Sequence, residues 1–119
     1  MADNYRQTLA DAEAGDESAM LCLGEYLQGN INGIPIKDFP INPRESERWL
    51  LKLIAVTQDL QMKGSALYNL GTAYEDGDSF PRDISKAKDF YKRAADLGAA
   101  YSLSMRCRQI YDELNRRRR

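Results

Sequence analysis

Ala66-Leu67-Tyr68-Asn69-Leu70-Gly71-Thr72-Ala73-Tyr74-Glu75-Asp76-Gly77 decides how this chain reads. Ala66, Leu70 and Tyr74 fall at i, i+4 and i+8, one stripe of a helix. Gly71 sits inside that helix, where a glycine costs about 1 kcal/mol against alanine. It therefore calls for a packing reason, and the reason expected is close approach of a neighbouring helix. Ala19-Met20-Leu21-Cys22-Leu23-Gly24-Glu25-Tyr26-Leu27-Gln28-Gly29 echoes this stretch. Both run from alanine to Leu-Gly, then to a large residue and a glycine, so the chain carries an internal repeat.

Working outward, a second pair of segments also matches. Trp49-Leu50-Leu51-Lys52 resembles Phe90-Tyr91-Lys92-Arg93, and each follows a helix start. In Asn42-Pro43-Arg44-Glu45, Asn42 suits the N-cap, Pro43 the first helical position and Glu45 the reciprocal capping-box position. In Asp83-Ile84-Ser85-Lys86, Asp83 suits the N-cap. Ala87, Tyr91 and Ala94 form a stripe that would face Ala66, Leu70 and Tyr74. The periodicity predicts six helices, over roughly 4–14, 16–29, 43–62, 65–76, 84–97 and from 99 into the terminal arginines. Gly15, Gly64, Gly77 and Gly98 read as stops. Nothing alternates with period two, so no sheet is expected.

The second unit, Ala66…Leu70-Gly71…Tyr74…Gly77…Asp83…Lys86-Ala87…Phe90-Tyr91…Ala94-Ala95…Gly98, resembles the Sel1-like repeat, a relative of the tetratricopeptide repeat. The resemblance covers roughly residues 10–112. It implies an all-α fold, a short right-handed α-solenoid of about six antiparallel helices, in which two Sel1-like helix pairs are flanked by single helices. As a single Sel1-like repeat domain, the chain divides into a degenerate first repeat at about 14–63, a second at about 64–98, a C-terminal capping helix at about 99–115 and a basic tail at 116–119. The first repeat has Leu53-Ile54 where the second has Ala94-Ala95, and its glycine comes one position early.

Two features depart from the pattern. Gly24 and Gly71 lie 47 positions apart, against about 34 for a unit of this kind. The surplus divides between an inserted loop, 30–41, and an extension of the third helix through Val56–Lys63. The loop's apolar residues, Ile36 and Phe39 among them, either fold back over the first helix pair or protrude as a contact surface. The other feature is the run Arg116-Arg117-Arg118-Arg119, which reads as a solvated helix end or as a site for nucleic acid or an acidic partner.

The bulk properties narrow the function classes. A chain of 119 residues, 43% apolar and 29% charged, is ordinary for one globular domain. The net charge is −1, but residues 1–38 carry seven acids against Arg6 and Lys37, while residues 104–119 carry six arginines against Asp112 and Glu113. Cys22 and Cys107 lie in apolar helical patterns and read as core residues of a reducing compartment. The polar, acidic N-terminus has no signal-peptide character, no run is long enough to span a membrane, and a cytoplasmic location is expected. The chain has no histidine, so it lacks the commonest general base and the usual zinc ligand. No phosphate-binding glycine loop occurs, and Asp76-Gly77-Asp78 lacks the other ligands of a calcium loop. No cofactor, metal or catalytic residue is expected, and the chain is read as a non-enzyme.

In the Sel1-like family the first helix of each pair lines the concave face. Carried over by position, this selects Ser18, Leu21, Glu25 and Gln28 from the second helix and Ser65, Tyr68, Thr72 and Glu75 from the fourth. Ile36 and Phe39 join them if the loop protrudes. Tyr68 is the expected anchor. The implied function is protein–protein interaction. Its most concrete form is a cognate inhibitor, such as an immunity protein whose acidic surface neutralises a bacterial toxin with a basic one. The alternatives are a general adaptor or scaffold and nucleic-acid binding through the tail.

Overall fold

The computed structural model describes residues 2–31, 34–78, 80–98 and 102–117. Its helices are α1 (Ala2–Glu13), α2 (Glu17–Tyr26), α3 (Pro43–Val56), α4 (Leu60–Asp76), α5 (Ile84–Ala95) and α6 (Ser102–Arg116). The protein is all-α, as the periodicity predicts. The chain divides into two compact units, 1–56 and 57–119. The expected helix start at 99 and the last two residues of the tail, Arg118 and Arg119, lie outside the described residues.

The helix ends follow from local chemistry. Asp16 caps α2 by accepting from the Ala19 N–H at 3.0 Å, and Asp83 caps α5 by accepting from the Lys86 N–H at 3.0 Å. Asn42 accepts from the Glu45 N–H at 3.2 Å at the start of α3. The reciprocal half of the expected capping box is not made. The Asn42 N–H donates instead to the Leu27 carbonyl at 2.7 Å, and the Glu45 carboxylate pairs with Arg48 at 3.4 Å. Gly77 ends α4 in the left-handed conformation (φ 74°), which glycine adopts without steric cost.

Two expectations need correction. The third helix stops at Val56 instead of running to Met62, and Gly64 is no stop but a buried residue inside α4. The break at 57–59 uses neither glycine nor proline. The Thr57 hydroxyl accepts the Asp59 N–H at 3.1 Å, and the Asp59 carboxylate then caps α4 through the Gln61 and Met62 N–H groups at 2.9 and 3.1 Å. A threonine–aspartate pair thus supplies the local hydrogen bonds that compete with helix continuation. The inserted loop also contains a minimal sheet where none was expected. Strands β1 (Asn30–Ile31) and β2 (Ile34–Pro35) pair antiparallel, Ile31 opposite Ile34.

In unit 1, α2 packs on α1 and α3 around Ala12, Met20, Leu23, Leu27, Leu50 and Leu53. In unit 2, α4 and α5 enclose Leu67, Leu70, Tyr74, Phe90 and Tyr91, and α6 adds Cys107 and Leu114. Both helix pairs use their mid-helix glycine in the same way. A Cβ on Gly24 would overlap the Leu50 side chain, and one on Gly71 would lie 2.8 Å from Tyr91 Cε1. Leu50 and Tyr91 are the residues that the internal repeat sets in correspondence. Each glycine therefore admits the large buried residue of the following helix at a separation no side chain would allow.

Candidate functional site

Helix α4 presents Tyr68, Thr72 and Glu75 along one face, at i, i+4 and i+7. Helix α6 presents Arg106, Ile110 and Glu113 along one face, at i, i+4 and i+7, and Arg117, just past its end, continues the row at i+11. These residues and Tyr91 of α5 line a cleft of about 250 Å³. The packing beneath sets their register. Leu70, Ala73 and Tyr74 turn the other face of α4 into the core, and Ser104, Cys107 and Leu114 do the same for α6. Ser104 fastens the start of α6 by donating its hydroxyl to the Gly98 carbonyl. The Asp96 carboxylate receives Lys92 at 3.0 Å and Arg108 at 3.1 Å, tying the end of α5 to α6. The Lys92 hydrogen bond, with both cations nearby, holds the Asp96 carboxyl below the usual carboxylate range.

Inside the cleft the polar groups are organised. The Tyr91 hydroxyl donates to Glu75 Oε1 at 2.7 Å, and Glu75 Oε2 lies 3.7 Å from the Arg117 guanidinium. Burial, reinforced by the Glu75 bond, pushes the Tyr91 hydroxyl far above the ordinary tyrosine range. The rings of Tyr68 and Tyr91 are tilted with centroids 6.1 Å apart. The Tyr68 hydroxyl beside Arg106 pushes that guanidinium's pKa further up. At the C-terminal end of α4, partial burial and then the charges of Glu75 and Asp78 push the Asp76 carboxyl up. The cleft therefore has a basic–aromatic end at Arg106 and Tyr68. Its other end is acidic, at Glu75 and Glu113, with arginines facing the carboxylates.

Of the residues selected from the sequence, the structure brings Tyr68, Thr72 and Glu75 together in this cleft. Ser65, half-buried on the same helix, is not among the cleft's lining residues. On α2, Ser18 is exposed and Leu21 and Glu25 are half-buried. Burial pushes the Glu25 carboxyl up. Gln28 turns its amide toward the helix pair, donating to the Gly24 carbonyl at 3.0 Å and to Ser46 Oγ at 3.3 Å. In the loop, Phe39 sits edge-on to both Tyr5 (5.8 Å) and Tyr26 (5.0 Å). The half-buried Ile36 donates its N–H to the Gly29 carbonyl at 3.1 Å. Phe39 thus packs against α1 and α2, while Ile41 of the same loop is exposed.

Sequence reasoning missed Tyr91, Arg106, Ile110 and Glu113, and it assigns Arg117 to the basic tail, not to a cleft. The residues from Arg106 to Arg117 carry a signal, the 4-3-4 spacing of a single helix face, which the reading of this helix as a cap passes over. Among the described residues no group of His, Cys, Asp and Glu could hold a metal ion, and no helix is long and apolar enough to cross a membrane. Both cysteines are free. Burial pushes the Cys107 thiol up to about 11, and burial together with Glu25 raises that of Cys22.

Residues 64–98 match the family model of the Sel1 repeat. No curated protein and no solved structure matches the chain. The matched segment holds most of α4 and all of α5, hence one wall of the cleft and Tyr91. The match spans residues 64–98, under a third of the chain, and the repeat that it resembles is a module of protein–protein interaction.

Proposed function

We propose that the chain is a non-catalytic protein-binding module and that its partner docks in the cleft between α4 and α6. The observation that carries this is the convergence of Tyr68, Thr72 and Glu75 with Arg106, Ile110, Glu113 and Arg117 around a single opening. At about 250 Å³ the cleft falls below the usual size of a small-molecule site, ~300–1,000 Å³. It suits one or two side chains of a partner. Tyrosine and arginine at its rim are the residue types that concentrate binding energy at interfaces. The test is to select protein or peptide ligands by display and compare their affinities for the wild type, Thr72→Arg and Tyr68→Ala. A loss of tenfold or more on either change supports the cleft. Ligands that bind all three proteins equally refute it.

A sharper second reading is favoured by the charge of the first 38 residues, a net −5. In it the module is a dedicated inhibitor, such as the immunity protein of a bacterial toxin, and the acidic surface meets a basic one on its target. It predicts one tight partner encoded beside this gene, which co-purifies and loses its activity. A general adaptor predicts several weaker partners instead. Binding nucleic acid through the tail is less favoured, because Arg116 and Arg117 already face Glu113 (3.9 Å) and Glu75 (3.7 Å).

A further inference from the structure

The two carboxylates of the cleft each face an arginine of the chain's own C-terminal run. Arg116 approaches Glu113 from the next helical turn, at 3.9 Å. Arg117, six-tenths exposed, reaches Glu75 at 3.7 Å. Neither contact has the 2.7–2.9 Å length of a charge-assisted hydrogen bond, and exposed pairs of this kind are weak. Glu75 is nevertheless a prepared acceptor. Its Oε1 is fixed by the buried Tyr91 hydroxyl, which leaves Oε2 directed at the cation. Asp76 and Asp78 follow it in the sequence, and the carbonyl end of α4 adds to the negative field. The rings of Tyr68 and Tyr91 also line the cleft, and aromatic rings attract a cation. The acidic end of the cleft is thus built for a positive group and holds one loosely.

We propose that the Glu75–Glu113 end of the cleft receives an arginine or lysine side chain of the protein partner, and that Arg117 occupies this place in the free chain as a tethered competitor. This rests on the cleft being the docking surface described above, and it adds the chemistry of the partner and a control on access. A guanidinium that meets Glu75 bidentately displaces the longer Arg117 contact. The tail is held close by its own helix, so its effective concentration is high, and it screens out single cations that bind poorly. Only a partner that also engages the Tyr68–Arg106 end displaces it efficiently. Arg106 would favour an acidic group there, seven residues or about 10 Å along α6 from Glu113, at 1.5 Å per residue.

The test uses the full chain and a variant with Arg116, Arg117, Arg118 and Arg119 all changed to glutamine, which preserves length and helix propensity. The probe is a dye-labelled acetyl peptide with the sequence of the tail, Asn-Arg-Arg-Arg-Arg, titrated by fluorescence anisotropy at two salt concentrations. The glutamine-tail chain is expected to bind it about two- to fivefold more tightly than the wild type, the range a weak exposed pair can withhold. Adding Glu75→Gln should cancel that gain, while adding Asp11→Asn with Glu13→Gln in unit 1 should leave it intact. Circular dichroism confirms that each variant is folded. Equal affinity of the wild type and the glutamine-tail chain overturns the proposal. So does a gain that survives Glu75→Gln or disappears with the unit 1 changes, since the probe would then be reading diffuse acidity. If Glu75→Gln has no effect but display ligands still lose affinity on Thr72→Arg, the docking cleft stands and its cation site falls. If Thr72→Arg leaves those ligands unchanged, the cleft reading itself falls.

Discussion

A Cβ placed on Gly71 would lie 2.8 Å from Cε1 of Tyr91, closer than packed atoms approach. Tyr91 is fully buried, and its hydroxyl is held by Glu75. Gly71→Leu should therefore destabilise unit 2 by overpacking, by about 1–3 kcal/mol or more. Gly24→Ala should do the same in unit 1, since Leu50 is buried beside it. On an exposed helix, glycine to alanine would instead stabilise by up to about 1 kcal/mol. Denaturant unfolding decides the sign, and unchanged or raised midpoints would mean that these helix pairs do not close on their glycines.

Tyr91→Phe keeps the ring and removes the bond to Glu75. The expected loss is about 1 kcal/mol at neutral pH. The pH dependence follows from the raised pKa of Tyr91. In the unfolded chain tyrosine titrates near pH 10. The native state holds the proton to higher pH, so this contribution is intact below about pH 10 and is lost as pH rises beyond it. Stability measured from pH 8 to 11 should fall more steeply for the wild type than for Tyr91→Phe. Parallel curves would contradict the assignment.

Much of this was legible in the sequence for identifiable reasons. Caps at Asp16, Asn42 and Asp83 follow from short polar side chains placed before apolar periods, and Gly77 follows from its freedom at positive φ. Gly71 marks a close approach by its place inside an apolar helical stripe, where a glycine needs a packing reason. What escaped was decided by groups that periodicity does not register. The break after Val56 is made by one threonine hydroxyl and one aspartate, with no glycine or proline, while Gly64, which reads as a stop, lies buried inside α4. The cleft has the same history. Its α4 wall came from the family pattern, but its α6 wall belongs to a segment outside the repeat, where the pattern gives no guidance.

The helix break makes its own prediction. Asp59→Ala removes the acceptor for the Gln61 and Met62 N–H groups and should cost about 1 kcal/mol. Thr57→Val should add to the loss by freeing the Asp59 N–H. If Asp59→Ala melts like the wild type, the cap contributes nothing and 57–59 is not a true break.

Cysteine labelling probes the packing of α6. The buried thiol of Cys107, pushed up to about 11, carries almost no thiolate at neutral pH. Iodoacetamide at pH 8 should modify the half-exposed Cys22 first and Cys107 only when unit 2 opens, as read by mass spectrometry of the peptides. Rapid labelling of Cys107 in the native protein would show that α6 does not stay docked.

The central claim is that a partner docks between α4 and α6. The most direct measurement is a two-dimensional NMR titration of the isotopically labelled chain with a display-selected ligand. The account predicts shift changes concentrated at Tyr68, Thr72, Glu75, Arg106, Ile110 and Glu113. Changes confined to α1, α2 or the inserted loop, with these six residues unmoved, would contradict it.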